Sequence, residues 1–182
     1  MSKNPKTLEL AAIIAKRKER VLLAEDFRGL IVRVAVLALA GWLLFTQVFL
    51  ITQTSGQSMF PSLKDGDLAI VYRLQEDYAR EDVVAYTHEG VRYFGRIIAR
   101  ETDVVTLDES GTLLVNGTRQ SGEIMYPTYA REGIVYPYRV PNGCIFVLGD
   151  YRTQTSDSRD FGPIPMENVE GKVITILRRR GL

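Results

Sequence analysis

The sequence predicts a mainly β domain that follows one N-terminal transmembrane helix. Residues 34–51 read VAVLALAGWLLFTQVFLI, a run without any charged residue, and about 20 apolar residues are enough to cross the hydrocarbon core of a bilayer. From Met59 onward the chain changes to short β-like runs separated by turn residues, a pattern typical of antiparallel sheets. We therefore divide the chain into a basic, helical segment at 1–33, a transmembrane helix at 34–51 and a β domain at 52–182.

The segment before the apolar run is basic and has the composition of a helix. Residues 7–29 mix apolar residues with charges, and a basic cluster stands at 16–20. This helix either lies on the inner leaflet, where the cluster would meet anionic lipid, or extends the transmembrane helix into solvent. Because residues 52–58 carry no basic residue, the positive-inside rule places the N-terminus in the cytoplasm and the β domain outside the cell. A buried core helix or a cleaved signal peptide fits less well, since the run is charge-free and begins more than 30 residues into the chain.

The β domain contains six short runs that predict strands, at 68–72, 82–86, 91–94, 112–115, 144–148 and 172–177. The second and third runs flank the turn residues 87–90, which predicts a hairpin. The fourth run leads into Asn116-Gly117, a dipeptide that favours hairpin turns because both positions accept a positive φ. Residues 118–143 are rich in Tyr, Pro and Gly with weak periodicity, so we expect them to form an excursion from the main sheet.

Composition excludes several classes of function. The net charge is +1 and the charges are mixed along most of the chain, so nothing points to a nucleic-acid partner. Cys144 is the single cysteine, which rules out an intrachain disulfide and a multi-cysteine zinc site. His88 is the only histidine, so a Ser-His-Asp triad would have to include it. We expect neither a metal nor a cofactor.

Three segments carry residues that suggest chemistry. Residues 55–63 read SGQSMFPSL directly after the apolar run, residues 149–162 read GDYRTQTSDSRDFG, and residues 93–99 read YFGRIIA. The first two resemble the diagnostic boxes of the type I signal peptidases, membrane-anchored serine proteases that remove signal peptides from exported proteins. The likeness is to the single-span, Gram-positive form. It implies a signal-peptidase-type β domain, which is similar to that of the self-cleaving SOS-response repressors.

The resemblance implies roles for the matching residues. Ser58 matches the nucleophile, and Gly56 lies where some members carry a serine that assists the oxyanion hole, so the Ser58 backbone N–H would supply most of that stabilisation. The hydroxyl of Thr155 would orient a lysine base. Tyr151 and Ser62 replace the usual Asn and Thr, and Thr155 replaces a Ser while keeping a hydroxyl. A structural network would be formed by the matching residues Asp150, Asp157, Ser158 and Arg159.

Position 95 departs from the family pattern, which is aromatic, apolar, Lys, Arg, two apolar residues and a small one. Tyr93 and Arg96 keep the register, so Gly95 stands where the lysine base is expected. A serine hydroxyl is a poor nucleophile without a base, and Arg96 cannot replace the lysine because a guanidinium stays protonated. We expect the glycine to leave an empty space, open to water or to a base supplied in trans. Gly95→Lys is then expected to restore the Ser-Lys pair.

Three other residues are weaker candidates for the base. His88 lies in the predicted hairpin turn, about 20 Å of chain from position 95. Lys64 precedes the turn at 65–67 and is expected on the surface, and Lys172 lies on the last predicted strand, where we assign it no role. The pattern therefore favours a chain that lacks its own base.

Two functions remain open at this point. The first is a signal peptidase whose Ser58 cleaves exported preproteins at the outer face of the membrane, weakly or by an unconventional route. The second is a non-catalytic assembly factor or chaperone for surface proteins such as pilins, because relatives without the catalytic pair occur in Gram-positive pilus operons. Those relatives can also lack the serine, which this chain keeps. In both cases the partners are the lipid bilayer and an extended peptide with small side chains, bound by strand addition beside residues 54–57. An unrelated membrane-anchored β adaptor is disfavoured by the two intact boxes.

Overall fold

The computed structural model describes residues 5–120 and 125–178, and for residues 5–17 and 19–25 it describes the backbone alone. The chain divides into two compact units, one up to Thr46 and one from Gln47 onward. The side chains of most of the basic cluster at 16–20 lie outside the described residues. Its predicted contact with anionic lipid therefore stays a prediction.

The described part of the first unit belongs to one long helix, α1, which spans Pro5–Val48 and so ends two residues into the second unit. Its segment Asp26–Val48 has 23 residues and a mean hydropathy of 2.1, so by length and composition it can cross a membrane. The sequence predicts that the helix continues to residue 51, but this boundary is wrong. Phe49–Gln53 instead form strand β1 and pair antiparallel with Leu68–Tyr72. Pairing with a neighbouring strand satisfies these backbone groups, and a long apolar run does not by itself distinguish helix from buried strand.

The second unit contains two antiparallel sheets, which confirms the predicted mainly β class. The larger has seven strands in the order β1-β2-β11-β3-β4-β9-β10, and the smaller has four in the order β7-β6-β5-β8. Helix α2 (Ser158–Phe161) and a 3-10 helix (Met166–Asn168) lie on either side of β10 in the chain. The remaining strands are β2 Leu68–Tyr72, β3 Val83–His88, β4 Val91–Ala99, β5 Val104–Leu107, β6 Leu113–Val115, β7 Thr118–Arg119, β8 Tyr138–Arg139, β9 Cys144–Leu148, β10 Ile164–Pro165 and β11 Val169–Leu177.

All six predicted strands are present. The hairpin between β3 and β4 turns at Glu89 and Gly90, with φ of 49° and 79°. Asn116 and Gly117, with φ of 52° and 77°, join β6 to β7 as the dipeptide predicts. Both β7 and β8 belong to the smaller sheet, so the described part of 118–143 is an excursion from the main sheet, as expected. The pattern does not identify β1, β5, β7, β8 or β10, because runs of two to five residues are too short for a clear period.

Strand β9 is buried on both faces, which explains its unbroken apolar sequence. Ile145 and Val147 pack into one core cluster, and Phe146 and Leu148 pack into a second cluster that includes residues of the smaller sheet. The strand ends at Leu148, and the 149–162 segment begins at the next residue. The core therefore holds the start of that segment in a fixed place.

Candidate active site

Ser58 lies half-buried in the loop between β1 and β2. Met59 and Leu63 are each 2% exposed, and the Leu63 N–H donates to the Met59 carbonyl at 2.9 Å. Gly56 has φ of 82°, and its N–H donates to Asp65 Oδ1 at 2.8 Å. Two buried apolar side chains and a capped backbone turn thus hold the loop on both sides of Ser58.

Gly149 allows the 149–162 segment to approach the Ser58 loop closely. The Tyr151 N–H donates to the Ser58 carbonyl at 3.0 Å. A Cβ at Gly149 would lie 2.7 Å from the Ser58 carbonyl oxygen and 2.8 Å from Cβ of Thr155, so any side chain there would push the two segments apart. The structure therefore places the Ser58 carbonyl and the Thr155 side chain next to the same glycine; the sequence predicts both residues in the site.

The Thr155 hydroxyl is hydrogen-bonded to a buried ion pair. It donates to Asp157 Oδ2 at 2.7 Å, and Arg159 donates to both oxygens of the same carboxylate, at 2.9 and 2.8 Å. Asp157 and Arg159 are each 1% exposed. Ser158 holds this segment to β9, because its hydroxyl accepts from the Val147 N–H at 2.9 Å. The Thr155 proton therefore points to Asp157.

A second ion pair joins β4 to the Ser58 loop. Arg96 donates to both carboxylate oxygens of Asp150 at 2.8 and 2.7 Å, and the Ser62 hydroxyl donates to the same carboxylate at 2.5 Å. The hydrogen bonds with Asp150 raise the pKa of Arg96 in spite of its burial. Among the described residues, Asp150 and Arg159 are thus members of two separate pairs, Arg96–Asp150 and Asp157–Arg159, and not partners of one another.

Arg152 is a buried residue to which the sequence motif assigns no role. It is 2% exposed, and its guanidinium donates to the Gly149 carbonyl at 2.8 Å and to the Thr128 hydroxyl at 2.7 Å. It also reaches Gln120 Oε1 at 3.3 Å. Burial among neutral acceptors lowers the pKa of Arg152 to about 10. Arg152 therefore ties the excursion to the segment that contacts Ser58.

Gly95 lies buried on β4, opposite Val84 of β3. The expectation of an empty space at this position is wrong. A Cβ built on Gly95 would overlap with Cγ1 of Val147 and lie 3.2 Å from Cε1 of Tyr86 and 3.3 Å from the Leu148 carbonyl oxygen. Neighbouring side chains fill the space, as the close packing of protein interiors requires. Burial raises the pKa of Tyr86, so its phenol stays protonated and does not replace the base.

Comparison with known proteins shows the family of the chain. The sequence model of the family described as signal peptidase, peptidase S26, matches residues 27–177. The chain belongs to the signal peptidase family. The match extends across Ser58, position 95 and the 149–162 segment, so the candidate site lies wholly inside the family region.

Several individual proteins are similar to this chain. Signal peptidase I of Bacillus caldolyticus is 33% identical over 156 residues, which cover 77% of this chain and 84% of that protein. Thylakoidal processing peptidase 1 of Arabidopsis thaliana, a chloroplastic protein, is 29% identical over 133 residues, which cover 64% of this chain and 38% of that protein. Among solved structures, a signal peptidase I from Enterococcus faecalis V583 aligns with a TM-score of 0.45 and 28% identity, covering 55% of this chain and 98% of its own.

The three weaker candidates for a base lie elsewhere in the described part of the chain. Lys172 lies on β11 and forms an ion pair with Asp82 at 2.7 Å. His88 ends β3 at the hairpin turn, four positions along the ladder from the partner of Gly95, or about 13 Å at the rise of a strand. Lys64 is exposed. Among the described residues, none of these three candidates takes the buried place beside Gly95.

Proposed function

We propose that this protein acts on exported preproteins at the outer face of the membrane and cleaves them weakly through Ser58. Signal-peptide cleavage is the reaction of the family to which the chain belongs. The observation that carries the proposal is the contrast between two glycines. Gly149 lets the Ser58 carbonyl and the Thr155 side chain approach the same point, whereas Gly95 supplies no amine and side chains fill its surroundings.

The edge of the larger sheet supports peptide binding by strand addition. β1 is the outer strand of that sheet among the strands that the structure describes, and β2 is its neighbour on the inner side. β1 ends at Gln53, and residues 54–57 connect it to Ser58 as a non-strand segment with bends at Gly56 and Gln57. An extended peptide that pairs with this edge would bring a carbonyl group to the serine, and small side chains would suit the close approach.

The chemistry explains why cleavage would be weak. The Ser58 oxygen attacks the carbonyl carbon, and the Ser58 backbone N–H stabilises the oxyanion. The C–N bond then breaks as the leaving amine takes up the proton that the serine has lost, and water hydrolyses the resulting acyl-enzyme and restores Ser58. The serine must lose its own proton in the first step. The Thr155 hydroxyl already donates to Asp157, and the base position is occupied by packing. Loss of general-base catalysis lowers the rate by roughly 10²–10⁴-fold.

The helix supports a position at the membrane. Asp26–Val48 is long and apolar enough to act as the anchor, and the chain enters β1 directly after it. The basic residues that precede the apolar run favour a cytoplasmic N-terminus and an extracytoplasmic β domain. The site would then meet preproteins as they leave the membrane.

Incubating the purified full-length protein with a preprotein and with a serine-directed covalent probe tests this function. We expect slow cleavage and slow labelling, both abolished by Ser58→Ala. Cleavage no faster than in the Ser58→Ala control would disprove weak catalysis. A Ser58-dependent rate of about 1–10³ s⁻¹, which is ordinary for enzymes, would instead reveal an unrecognised base.

The filled space at position 95 favours a second candidate, a non-catalytic assembly factor for surface proteins such as pilins. Val147 and Tyr86 pack where a lysine stem would lie, so the core of this chain suits a protein that binds peptides without cleaving them. The test uses cells that lack the protein and depend on it for assembly of a surface protein. If Ser58→Ala restores assembly as fully as the wild-type chain, the non-catalytic role is supported. Loss of assembly with Ser58→Ala would exclude it.

A further inference from the structure

Three aromatic side chains, from the Ser58 loop and two other segments, form a row with Tyr151 in the middle and belong to neither core cluster. Phe60 lies in the Ser58 loop, Tyr151 in the 149–162 segment and Tyr126 in the excursion. The centroid of the Tyr151 ring is 4.5 Å from that of Tyr126 and 6.2 Å from that of Phe60. All three residues are half-buried. We call this group the aromatic ledge; its rings remain partly open to solvent, so they can accept a further side chain.

The ledge is fixed to the nucleophile through the backbone. The Tyr151 N–H donates to the Ser58 carbonyl at 3.0 Å, and the Phe60 N–H donates to the Gln57 carbonyl at 3.0 Å. If residues before the scissile bond lie along 54–57, those after it continue past Ser58 on the side of Phe60. An extended chain advances about 3.3 Å per residue. The first or second residue after the bond therefore comes within reach of the ledge.

The ring faces of the ledge favour a planar side chain. Tyr151 stands where the family motif usually has Asn, so this chain presents a ring face in place of an amide. Beyond Tyr126 a cleft of about 260 Å³ opens; Leu113, Met125 and Pro127 line it together with Arg119 and the hydroxyl residues Ser110, Thr112 and Thr128. Aromatic rings gain most from offset or edge-to-face contacts with other rings, and the tilted arrangement of the ledge offers both.

We propose that the aromatic ledge is a binding subsite for an aromatic side chain one or two residues after the scissile bond. This inference rests on the proposed peptide-binding function of the Ser58 site. Its consequence is selectivity among partners, because a protein whose mature part begins with an aromatic residue would be held more firmly than one that begins with small residues.

Peptide binding to full-length Ser58→Ala protein in detergent tests the subsite without turnover. Fluorescently labelled peptides carry Ala-Gln-Ala followed by Phe-Ser, Ser-Phe or the matched apolar control Leu-Ser. We expect one of the Phe peptides to bind about twofold to tenfold more tightly than the Leu peptide, the gain typical of an aromatic pair. Equal saturable binding of all three peptides would overturn the aromatic subsite while still supporting peptide binding at the Ser58 site. Absence of saturable binding by any of them overturns both.

Two variants of the aromatic ledge, Tyr151→Asn and Tyr126→Ala, and one control, Tyr129→Asn, show where the preference for Phe arises. Tyr151→Asn, which introduces the usual residue of the family motif, should abolish the preference for Phe, whereas Tyr129→Asn should retain it because Tyr129 is 50% exposed and lies outside the ledge. A preference that survives Tyr151→Asn and Tyr126→Ala overturns the proposal. If either variant fails to fold, the parent protein can be cross-linked to a peptide with benzoylphenylalanine in place of Phe. Cross-links to Phe60, Tyr126 or Tyr151 are expected, and cross-links confined to other segments contradict the subsite.

Discussion

Gly95 and Gly149 show how a missing side chain can have opposite consequences in one site. At Gly149 the absence of a Cβ lets the Ser58 carbonyl and the Thr155 side chain approach the same point. At Gly95 it lets Val147 and Tyr86 pack where a Cβ would lie. One glycine therefore allows two segments to come together, and the other is surrounded by side chains that leave no room for a larger residue.

Gly95→Lys alone should not restore cleavage, although the motif by itself suggests that it would. The new Cβ overlaps with Cγ1 of Val147, which is fully buried, and overpacking of this kind costs about 1–3 kcal/mol of stability. Adding Val147→Ala makes room, and burial of the lysine then favours its neutral form. We expect preprotein cleavage by the double variant to exceed wild-type cleavage by at least about tenfold.

The controls for this prediction are Val147→Ala alone and the double variant with Ser58→Ala. Neither should show the gain, because the first has no base and the second has no nucleophile. A folded double variant without any gain would show that more than one residue separates this site from an active one. A full gain from Gly95→Lys alone would show that Val147 moves aside at little cost.

At the scale of elements, Asp157 organises the segment that faces Ser58. It forms a capping box at the N-terminus of α2, accepts from the Gly149 N–H at 3.2 Å and pairs with Arg159. A four-residue helix has little stability of its own, so these side-chain contacts fix the position of Thr155. The polar network therefore shapes the site more than helix propensity does.

Two substitutions at Asp157 should separate its roles. Asp157→Asn keeps a good N-cap but leaves Arg159 buried without its carboxylate, which costs about 3–5 kcal/mol. Asp157→Ala should cost about 1 kcal/mol more, because the cap is lost as well. Urea unfolding of the β unit measures both. The control is Asp77→Asn, whose side chain is 93% exposed and should change little. Equal stability of Asp157→Asn and wild type would contradict the importance of the charge.

At the scale of the whole molecule, three carboxylates link distant segments and set the dependence of stability on pH. Burial opposes ionisation of Asp103, Asp160 and Glu170, but hydrogen bonds from Arg80, Arg131 and Arg92 respectively lower the pKa of each below its usual value of 3.8 or 4.5. A lowered folded-state pKa contributes stability that is present above the unfolded-state pKa and lost as pH falls through the folded one. The stabilisation of the β unit by these three carboxylates should therefore be complete above about pH 5 and should decrease as the pH falls below about 4.

Urea midpoints measured between pH 7 and pH 3 test this dependence. Asp103→Asn should lower the midpoint at pH 7 and have a smaller effect at pH 3, since wild type has by then begun to lose the same contribution. Glu132→Gln is the control, because Glu132 is exposed, and it should shift the curve little at any pH. An effect of Asp103→Asn that is equal at pH 7 and pH 3 would show that its charge is not the cause.

The membrane topology also belongs to this scale. If Asp26–Val48 spans the membrane with the N-terminus inside, protease added to intact cells should remove the β unit and leave a small N-terminal fragment. Digestion of lysed cells should destroy the fragment as well. Digestion of the basic N-terminal region in intact cells would contradict the orientation that we propose.

The sequence by itself determined the mainly β class and the six principal strands, and it singled out the Ser58 segment and the 149–162 segment. Apolar runs and turn residues are local signals, so they can be recognised without knowing the tertiary structure, and so can a motif whose residues follow one another in the chain. Only the tertiary structure decided where α1 ends, which arginine pairs with Asp150 and what fills the place beside Gly95. Each of these depends on residues distant in sequence. Pairing with β2 makes residues 49–51 part of a strand, Arg96 on β4 forms an ion pair with Asp150 just after β9, and Val147 on β9 packs against β4. A sequence motif records which side chain is missing, but close packing determines what takes its place.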